Sequence, residues 1–463
     1  MNYFAALWYF FLFGSGYLIY LIYANSEYGT KISSVIETQE WFEKIWILPF
    51  YIFSEFTYYI LNQWGLYKDR KILEKYNEEE KTFAFENVAV IIPCHNAMEE
   101  IQKNREMLCS KFRYIFIADN GDGENENEEF REFCNEHGMY YYYYPIANKT
   151  NAILQTALRI KYRYSFLHTI VLLDDDTMIE KDFFIRTDIL DQPTTAGYTC
   201  CIGINKSDKF NLWEHWIDFE YRTISYRNRS RNLHTLKFLH GIICIYKIDA
   251  LIELFKWSVC NPGGLPFGED AFAGIQARNV GYILKQDHLN VVYTYCPKSL
   301  FNFFAGREQG YGASSLFKQR ALRWYLSWPR RIFNEFGLLF YFDTGNWLGN
   351  IIYRFDFMWY LWIVMIACWW IGILIEMSFS FSSFTNFCYI HFGFYFINAL
   401  TSYIRIKTMS KKESANINWS VPFTFPIFLL VIMFLYSSSF LISIFYYIPF
   451  YRIDYKKCYK NLH

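Results

Sequence analysis

The stretch "IVLLDDDTMI" (170–179) decides how this chain is read. Its apolar run, Ile170 to Leu173, fits a buried strand. The run ends directly on three carboxylates, Asp174, Asp175 and Asp176. Like charges repel, and a carboxylate taken out of water is costly unless something compensates it. Along an extended chain, alternation sends Asp174 and Asp176 to one side and Asp175 to the other. The question is which positive charge the pair faces.

Two further stretches have the same build. "NVAVIIPCHN" (87–96) and "RYIFIADNGDG" (113–123) are apolar runs ending on polar residues, with helical segments such as "NKTNAILQTALRIKYRY" (148–164) between them. Strands alternating with helices indicate an α/β fold with a mainly parallel sheet. Ligands of such sheets sit outside the carboxyl ends of the strands. Pro93, His95 and Asn96, then Asp119 and Asn120, then Asp174 to Asp176 fall at or beside those ends. Their convergence carries more weight than any one of them.

The 463 residues divide by composition. Basic and acidic residues balance at 45 each, which argues against a nucleic-acid partner. Aromatic residues make up 22% of the chain, much of it in apolar blocks, which indicates contact with a lipid bilayer. Residues 1–67 hold two candidate spans, about 3–25 and 45–66, the second also fitting a helix lying in the interface. Residues 336–463 hold three more, about 357–376, 384–404 and 421–449, then a basic tail. The charge-rich 68–335 reads as a folded domain. Basic flanks such as "YKDRKILEKY" (67–76) and "RIKTMSKK" (405–412) put it on the cytosolic side. Five spans would leave the basic tail outside, so either the last block is a hairpin or another segment does not span. Plasma membrane and Golgi or ER membrane are not separated by sequence. The 11 cysteines show no CxxC pair, as expected of reduced thiols.

These motifs, in this order, resemble the family 2 glycosyltransferases of GT-A fold. The closest likeness is to the membrane-embedded hyaluronan, chitin and cellulose synthases and the fungal capsular-polysaccharide-synthase-like proteins. "VIIPCHN" (90–96), "IADNGD" (117–122), "NKTNAI" (148–153), "DDDT" (174–177), "FGEDAF" (267–272) and "KQRALRW" (318–324) carry the resemblance over about 86–330. It implies a Rossmann-like cytosolic domain inserted between N-terminal and C-terminal transmembrane helices. It also implies an inverting enzyme that uses a UDP-sugar donor with Mg²⁺ or Mn²⁺ and extends a β-linked polysaccharide.

The resemblance assigns roles residue by residue. Asp176 would coordinate the metal, with Asp174 near the ribose and diphosphate. Asp119 would accept from the uracil N–H, although "DNGDG" is also rich in turn formers. Lys149 would pair with a phosphate, or else be a solvated lysine. Pro93, His95, Asn96 and Asn120 would border the nucleotide. Asp270 would be the base for the acceptor hydroxyl, with Glu269 supporting it. Both acids also suit the first turn of a helix by its dipole. In "SLFKQRALRWYLSW" (315–328), read as an interface helix, Arg320, Arg323 and Trp324 would share one face. Three residues rather than two separate Gln319 from Arg323, and Arg320 holds the family's glutamine position. His240 and Gly241 would meet the acceptor, with His240 unusually bulky for that place.

Two rival functions fit parts of the pattern. One is a non-processive enzyme glycosylating a membrane lipid, ceramide or a polyprenyl phosphate. The other is a membrane scaffold without catalysis. The oligomeric state leaves no mark on the sequence. The acidic triplet yields an asymmetric expectation: Asp175→Asn is mild, whereas Asp176→Asn abolishes turnover, read as UDP release. Equal losses would mean that the strand-end geometry is otherwise.

Overall fold

The computed structural model describes residues 59–68, 71–72, 74, 85–95, 97–121, 126–145, 148–232, 235–260, 269–297, 299–301, 315–324, 354, 395–396, 398–407 and 417–450. The candidate spans 3–25 and 357–376, residue Asn96, the loops 261–268 and 302–314 and the basic tail lie outside them. Of the other spans, 59–66 and most of 395–404 are described, and both are helical.

Eight strands form one sheet in the order β3-β2-β1-β4-β7-β6-β8-β5. They are β1 (Val88–Cys94), β2 (Tyr114–Asp119), β3 (Tyr140–Tyr143), β4 (Thr169–Leu173), β5 (Met178–Ile179), β6 (Thr195–Ile204), β7 (Ile243–Lys247) and β8 (Ile283–Thr294). β1 is buried throughout. Its side chains alternate between layers, as a strand's period of two requires. Val88, Val90, Ile92 and Cys94 join the core with α1 (Met98–Lys111), α2 (Glu128–Glu136) and α4 (Leu212–Arg231). Ala89 and Ile91 face α3 (Lys149–Arg163), α5 (Ile248–Cys260) and α6 (Glu269–Asn279). The domain is therefore an α/β/α sandwich.

The sheet is mixed, with parallel pairings in the majority as expected and antiparallel ones around β7 and at the β5 edge. β1–β2, β1–β4, β2–β3 and β6–β8 are parallel, while β4–β7, β6–β7 and β5–β8 are antiparallel. The reason lies in where β7 begins. Ile243 pairs with Leu173, the last residue of β4, and Ile242 accepts a hydrogen bond from Asp174 N–H at 3.1 Å. β7 thus starts where β4 stops, runs back along it, and leaves Gly241 beside the acidic triplet.

β1 and β4 pair only as far as Ile91 and Leu172, whereas β1 and β2 continue to Cys94 and Asp119. Pro93 explains the difference. Cys94 gives its carbonyl to Asn120 N–H on the β2 side. By alternation Pro93 faces β4, where it has no N–H to donate. The strands part there, and a cleft opens between them.

The last described segment, α7 (Val421–Phe450), is one continuous helix. At a rise of about 1.5 Å per residue it is roughly 45 Å long, more than the ~30 Å of a bilayer core. This settles the hairpin alternative for 421–449: it is not a hairpin. Within α7, Val421–Ser439 is long and apolar enough to cross a membrane, the one such stretch among the described residues. α7 also packs on α4. Trp216 Nε1 donates to Thr424 Oγ1 at 3.0 Å, and the Phe219 and Phe425 rings meet edge to face at 4.7 Å.

Gly274 lets α6 lie against the segment leading into β7. A Cβ there would overlap the Lys237 carbonyl and come within 2.8 Å of Phe238 Cα. Backbone cannot yield as a flexible side chain does, so Gly274→Ala is expected to cost about 1–3 kcal/mol. It should also displace the acids at the start of α6. Thermal unfolding and UDP release measured on the same preparation check this. An unchanged unfolding midpoint would mean that α6 does not rest on this segment.

Candidate active site

Six of the anticipated residues line one cleft at the carboxyl end of β4: Pro93, Lys149, Asp174, Gly241, Glu269 and Asp270. Different elements deliver them. Lys149 opens α3, whose N-cap Asn148 accepts from Asn151 N–H at 3.0 Å. Glu269 and Asp270 occupy the first turn of α6, as helix-dipole reasoning anticipates. Two helix N-termini therefore face the same cleft, the arrangement that favours phosphate groups.

The Lys149 ammonium ties these elements together. Its Nζ lies 2.7 Å from Asp174 Oδ1 and 3.3 Å from Glu269 Oε1. Burial alone would push this lysine down. The carboxylates of Asp174 and Glu269 overcome it and hold the ammonium charged, above its ordinary range. Lys149 is thus no solvated surface lysine. Gly241 sits directly beneath the helix start. A Cβ on it would lie 3.8 Å from Asp270 Oδ2 and 4.0 Å from Glu269 Oε1.

The acidic triplet is arranged differently from an extended strand. β4 ends at Leu173, and Thr177 N–H donates to the Asp174 carbonyl at 3.1 Å. Residues 174–177 form a turn, so strand alternation does not sort the three acids. Burial does. Asp174 and Asp175 are part-exposed, and Asp176 is only 6% exposed. Burial first, then the charges of Asp175 and Asp174, raises the Asp176 pKa well above the carboxylate range, against a Thr294 hydrogen bond and the charge of Lys149.

Asp119 ends β2 and is buried at 1% exposure. Tyr141 donates to its Oδ2 at 2.7 Å, and among the described residues its Oδ1 has no partner. Asn120 next to it is occupied within the fold. With its amide turned so that both ends are satisfied, its nitrogen donates to the Cys94 carbonyl and its oxygen accepts from Lys149 N–H at 3.1 Å. His95 Nδ1 is 2.9 Å from the Asn120 carbonyl. Asn120 and His95 therefore brace the loop ends in this structure.

The signature segment departs from a regular helix. Ser315 caps a single α-turn, Leu316–Gln319, and Arg320–Trp324 is a π-turn. Gln319 is buried. Arg320 does not sit in the cleft: it pairs with Glu220 and lies over the Trp324 ring at 4.2 Å. The i, i+4 approach of Arg320 and Trp324 is thus present, but the guanidinium faces Glu220. The backbone of Arg323 lies on the π-turn, and its side chain lies outside the described ones. His240 is edge-on to Tyr221 and Phe238, at 6.2 and 5.4 Å. Sequence reasoning missed Glu220, Tyr221 and Tyr141. Glu220 and Tyr221 carry no motif on α4, and Tyr141 is one of a run of tyrosines.

Among the described residues no group of three or more His, Cys, Asp or Glu side chains has metal-holding geometry. Mg²⁺ and Mn²⁺ need fewer, since one or two carboxylates suffice when phosphate and water complete the shell. Asp174 and Asp176 carry oxygen donors of the kind such an ion takes, with Asp174 paired to Lys149 and Asp176 buried beside it.

No protein-family model matches the sequence, and no curated protein does. Solved structures that match include GalNAc-T7 with UDP, GalNAc and Mn²⁺, at TM-score 0.31 and 10% identity over 48% of this chain and 46% of that one. Another is a cytidylyltransferase from Leptospira borgpetersenii serovar Hardjo-bovis, at TM-score 0.26 and 14% identity over 44% of this chain and 76% of that one. The first is matched over less than half its own length. One is a glycosyltransferase and the other a nucleotidyltransferase. At these scores neither likeness bears on the chemistry, which rests on the residues described above.

Burial, with the charges of Arg231 and Arg320 adding, pushes the His240 imidazole from 6.5 down to about 4. Between those values the unfolded chain binds a proton that the folded chain refuses. Stability from this residue is therefore complete above 6.5 and falls as pH drops towards 4. His240→Gln should flatten that acid limb, read as unfolding midpoint against pH. An unaltered slope would mean that His240 is not held neutral.

Proposed function

We propose that the chain is a metal-dependent, inverting glycosyltransferase of GT-A type that takes a UDP-sugar and extends a β-linked polysaccharide at a membrane. The observation that carries this reading is the shared cleft: a lysine bridging Asp174 and Glu269, with Asp270 next to it and a glycine against both acids of α6. Strand-end acids, a phosphate-seeking lysine and a base beside bare backbone are the parts that sugar transfer from a nucleoside diphosphate requires.

Each residue then has a task. The unpartnered Asp119 Oδ1 accepts from the N–H of a uracil, while Tyr141 fixes the other oxygen. Asp174 and Asp176 would hold Mg²⁺ or Mn²⁺, which would supply positive charge to the departing diphosphate. Lys149 offers its ammonium to a phosphate, with two helix N-termini behind it. Gly241 leaves room for the acceptor sugar against Asp270. Asp270 takes the proton of the acceptor hydroxyl as its oxygen attacks C1, and the C1–phosphate bond breaks with its electrons leaving on the diphosphate. Attack opposite the leaving group inverts the anomeric centre. The polymer product and the membrane setting rest on the resemblance of the motifs and on the apolar blocks around the domain.

The test is to incubate membranes holding the full chain with a panel of UDP-sugars and Mg²⁺ or Mn²⁺, then measure UDP release and product size. One sugar should support release, with a growing glycan as product. Asp270→Asn should lower release by about 10²–10⁴-fold, the usual worth of a general base. Normal release by that variant would overturn the assignment of the base. A product limited to lipid carrying one sugar would replace the polymer reading with the lipid one.

A further inference from the structure

The π-turn at Arg320–Trp324 is held by partners that lie outside its own motif. Arg320 Nη2 donates to Glu220 Oε2 at 2.6 Å and Nη1 to Oε1 at 3.3 Å, a fork on both oxygens. The pair is largely dry, with Arg320 4% and Glu220 18% exposed. The guanidinium lies 4.2 Å from the Trp324 ring centre and 6.0 Å from that of Tyr221. Ser439 of α7 also donates to the Ala321 carbonyl at 2.8 Å. A π-turn is rare, recurs at functional sites and is intrinsically weaker than an α-turn, so it depends on such anchors.

The same turn of α4 also contacts the segment that carries Gly241. Tyr221 follows Glu220 in the chain, and its ring meets that of His240 at 6.2 Å. His240 in turn precedes Gly241, which underlies Asp270. The Arg320–Trp324 segment is thus linked through Tyr221 and His240 to Gly241, which lines the cleft.

We propose that Glu220 is a positioning residue: its two-oxygen grip on Arg320 fixes the π-turn that carries Arg323 and holds the Trp324 ring against the guanidinium. A carboxylate is needed because only two acceptor oxygens in one plane match a guanidinium fork. Lysine cannot replace the arginine, since a point charge on a flexible stem does not lock a turn. The role assigned to the turn rests on the transfer reading above. The grip itself does not.

The test uses the full-length protein in detergent. UDP binding with Mn²⁺ is measured by calorimetry, UDP release from the active UDP-sugar by turnover, and unfolding temperature alongside. Glu220→Gln and Arg320→Lys should each lower kcat about tenfold while the Kd for UDP stays within about twofold, and the double variant should lose no more than the worse single one. A residue that merely stabilised the fold would leave kcat per folded molecule unchanged. Wild-type kcat in Glu220→Gln, or losses that multiply in the double variant, would overturn the proposal. If Glu220→Gln does not accumulate as folded protein, Glu220→Asp serves, keeping the charge but shortening the reach. It should give reduced kcat at unchanged Kd, and full kcat would count against the grip. If the wild type neither binds UDP nor releases it, the transfer reading fails by itself. The unfolding temperatures of the two singles and the double then decide the grip, non-additive shifts supporting it and additive ones excluding it.

Discussion

The ammonium of Lys149 stands between two carboxylates that come from opposite ends of the domain's construction. Asp174 closes β4, and Glu269 opens α6, nearly a hundred residues later. Without a cation between them the acids at this end of the sheet would repel one another, and α6 would have no electrostatic reason to stand with its first turn against β4. With it, the N-termini of α3 and α6 converge on one point. Gly241 lies open there, because antiparallel β7 starts where β4 ends. Under the proposed transfer reading, a lysine held by carboxylates at 2.7 and 3.3 Å would exchange them for a phosphate, which offers the same oxygen acceptors.

Much of the site was legible in the sequence because its parts are local. An apolar run ending in acids marks the end of β4, and Asn148 followed by Lys149 marks the start of α3. Glu269 and Asp270 mark the start of α6 by the charge preference of a first turn. What was not legible is what depends on partners distant in sequence. The direction of β7 follows from a pairing with β4 some seventy residues upstream, which no local pattern encodes. Asp174 to Asp176 were expected to alternate, but the strand stops one residue too early and the turn takes over. The contacts of the Asn120 amide with the Cys94 carbonyl and Lys149 N–H likewise join three separate stretches of sequence that no local pattern links. Arg320 lies in a helical pattern that promised one shared face. Its partner, Glu220, is on a different helix, and a π-turn replaces the regular one.

Helix α7 gives the domain a further boundary condition. It touches α4 through Thr424 and Phe425 and reaches the π-turn through Ser439. Fifteen residues separate Thr424 from Ser439, roughly 22 Å of helix. One apolar rod therefore contacts both the back layer of the sandwich and the segment that carries Trp324. Any shift of α7 along its axis would be felt at both places together.

Pro93 has an effect that reaches past its own strand. Parallel strands lengthen their pairing wherever two edges with free donors and acceptors run side by side, as β1 and β4 do up to Ile91 and Leu172. An ordinary residue at 93 would offer an N–H to the β4 side, and the ladder could advance a rung into the opening. The imino acid withholds that rung. The opening therefore does not need to be propped apart by bulky side chains or by charge repulsion. It persists because one backbone nitrogen has nothing to give, which leaves the surrounding side chains free to be small, as at Gly241.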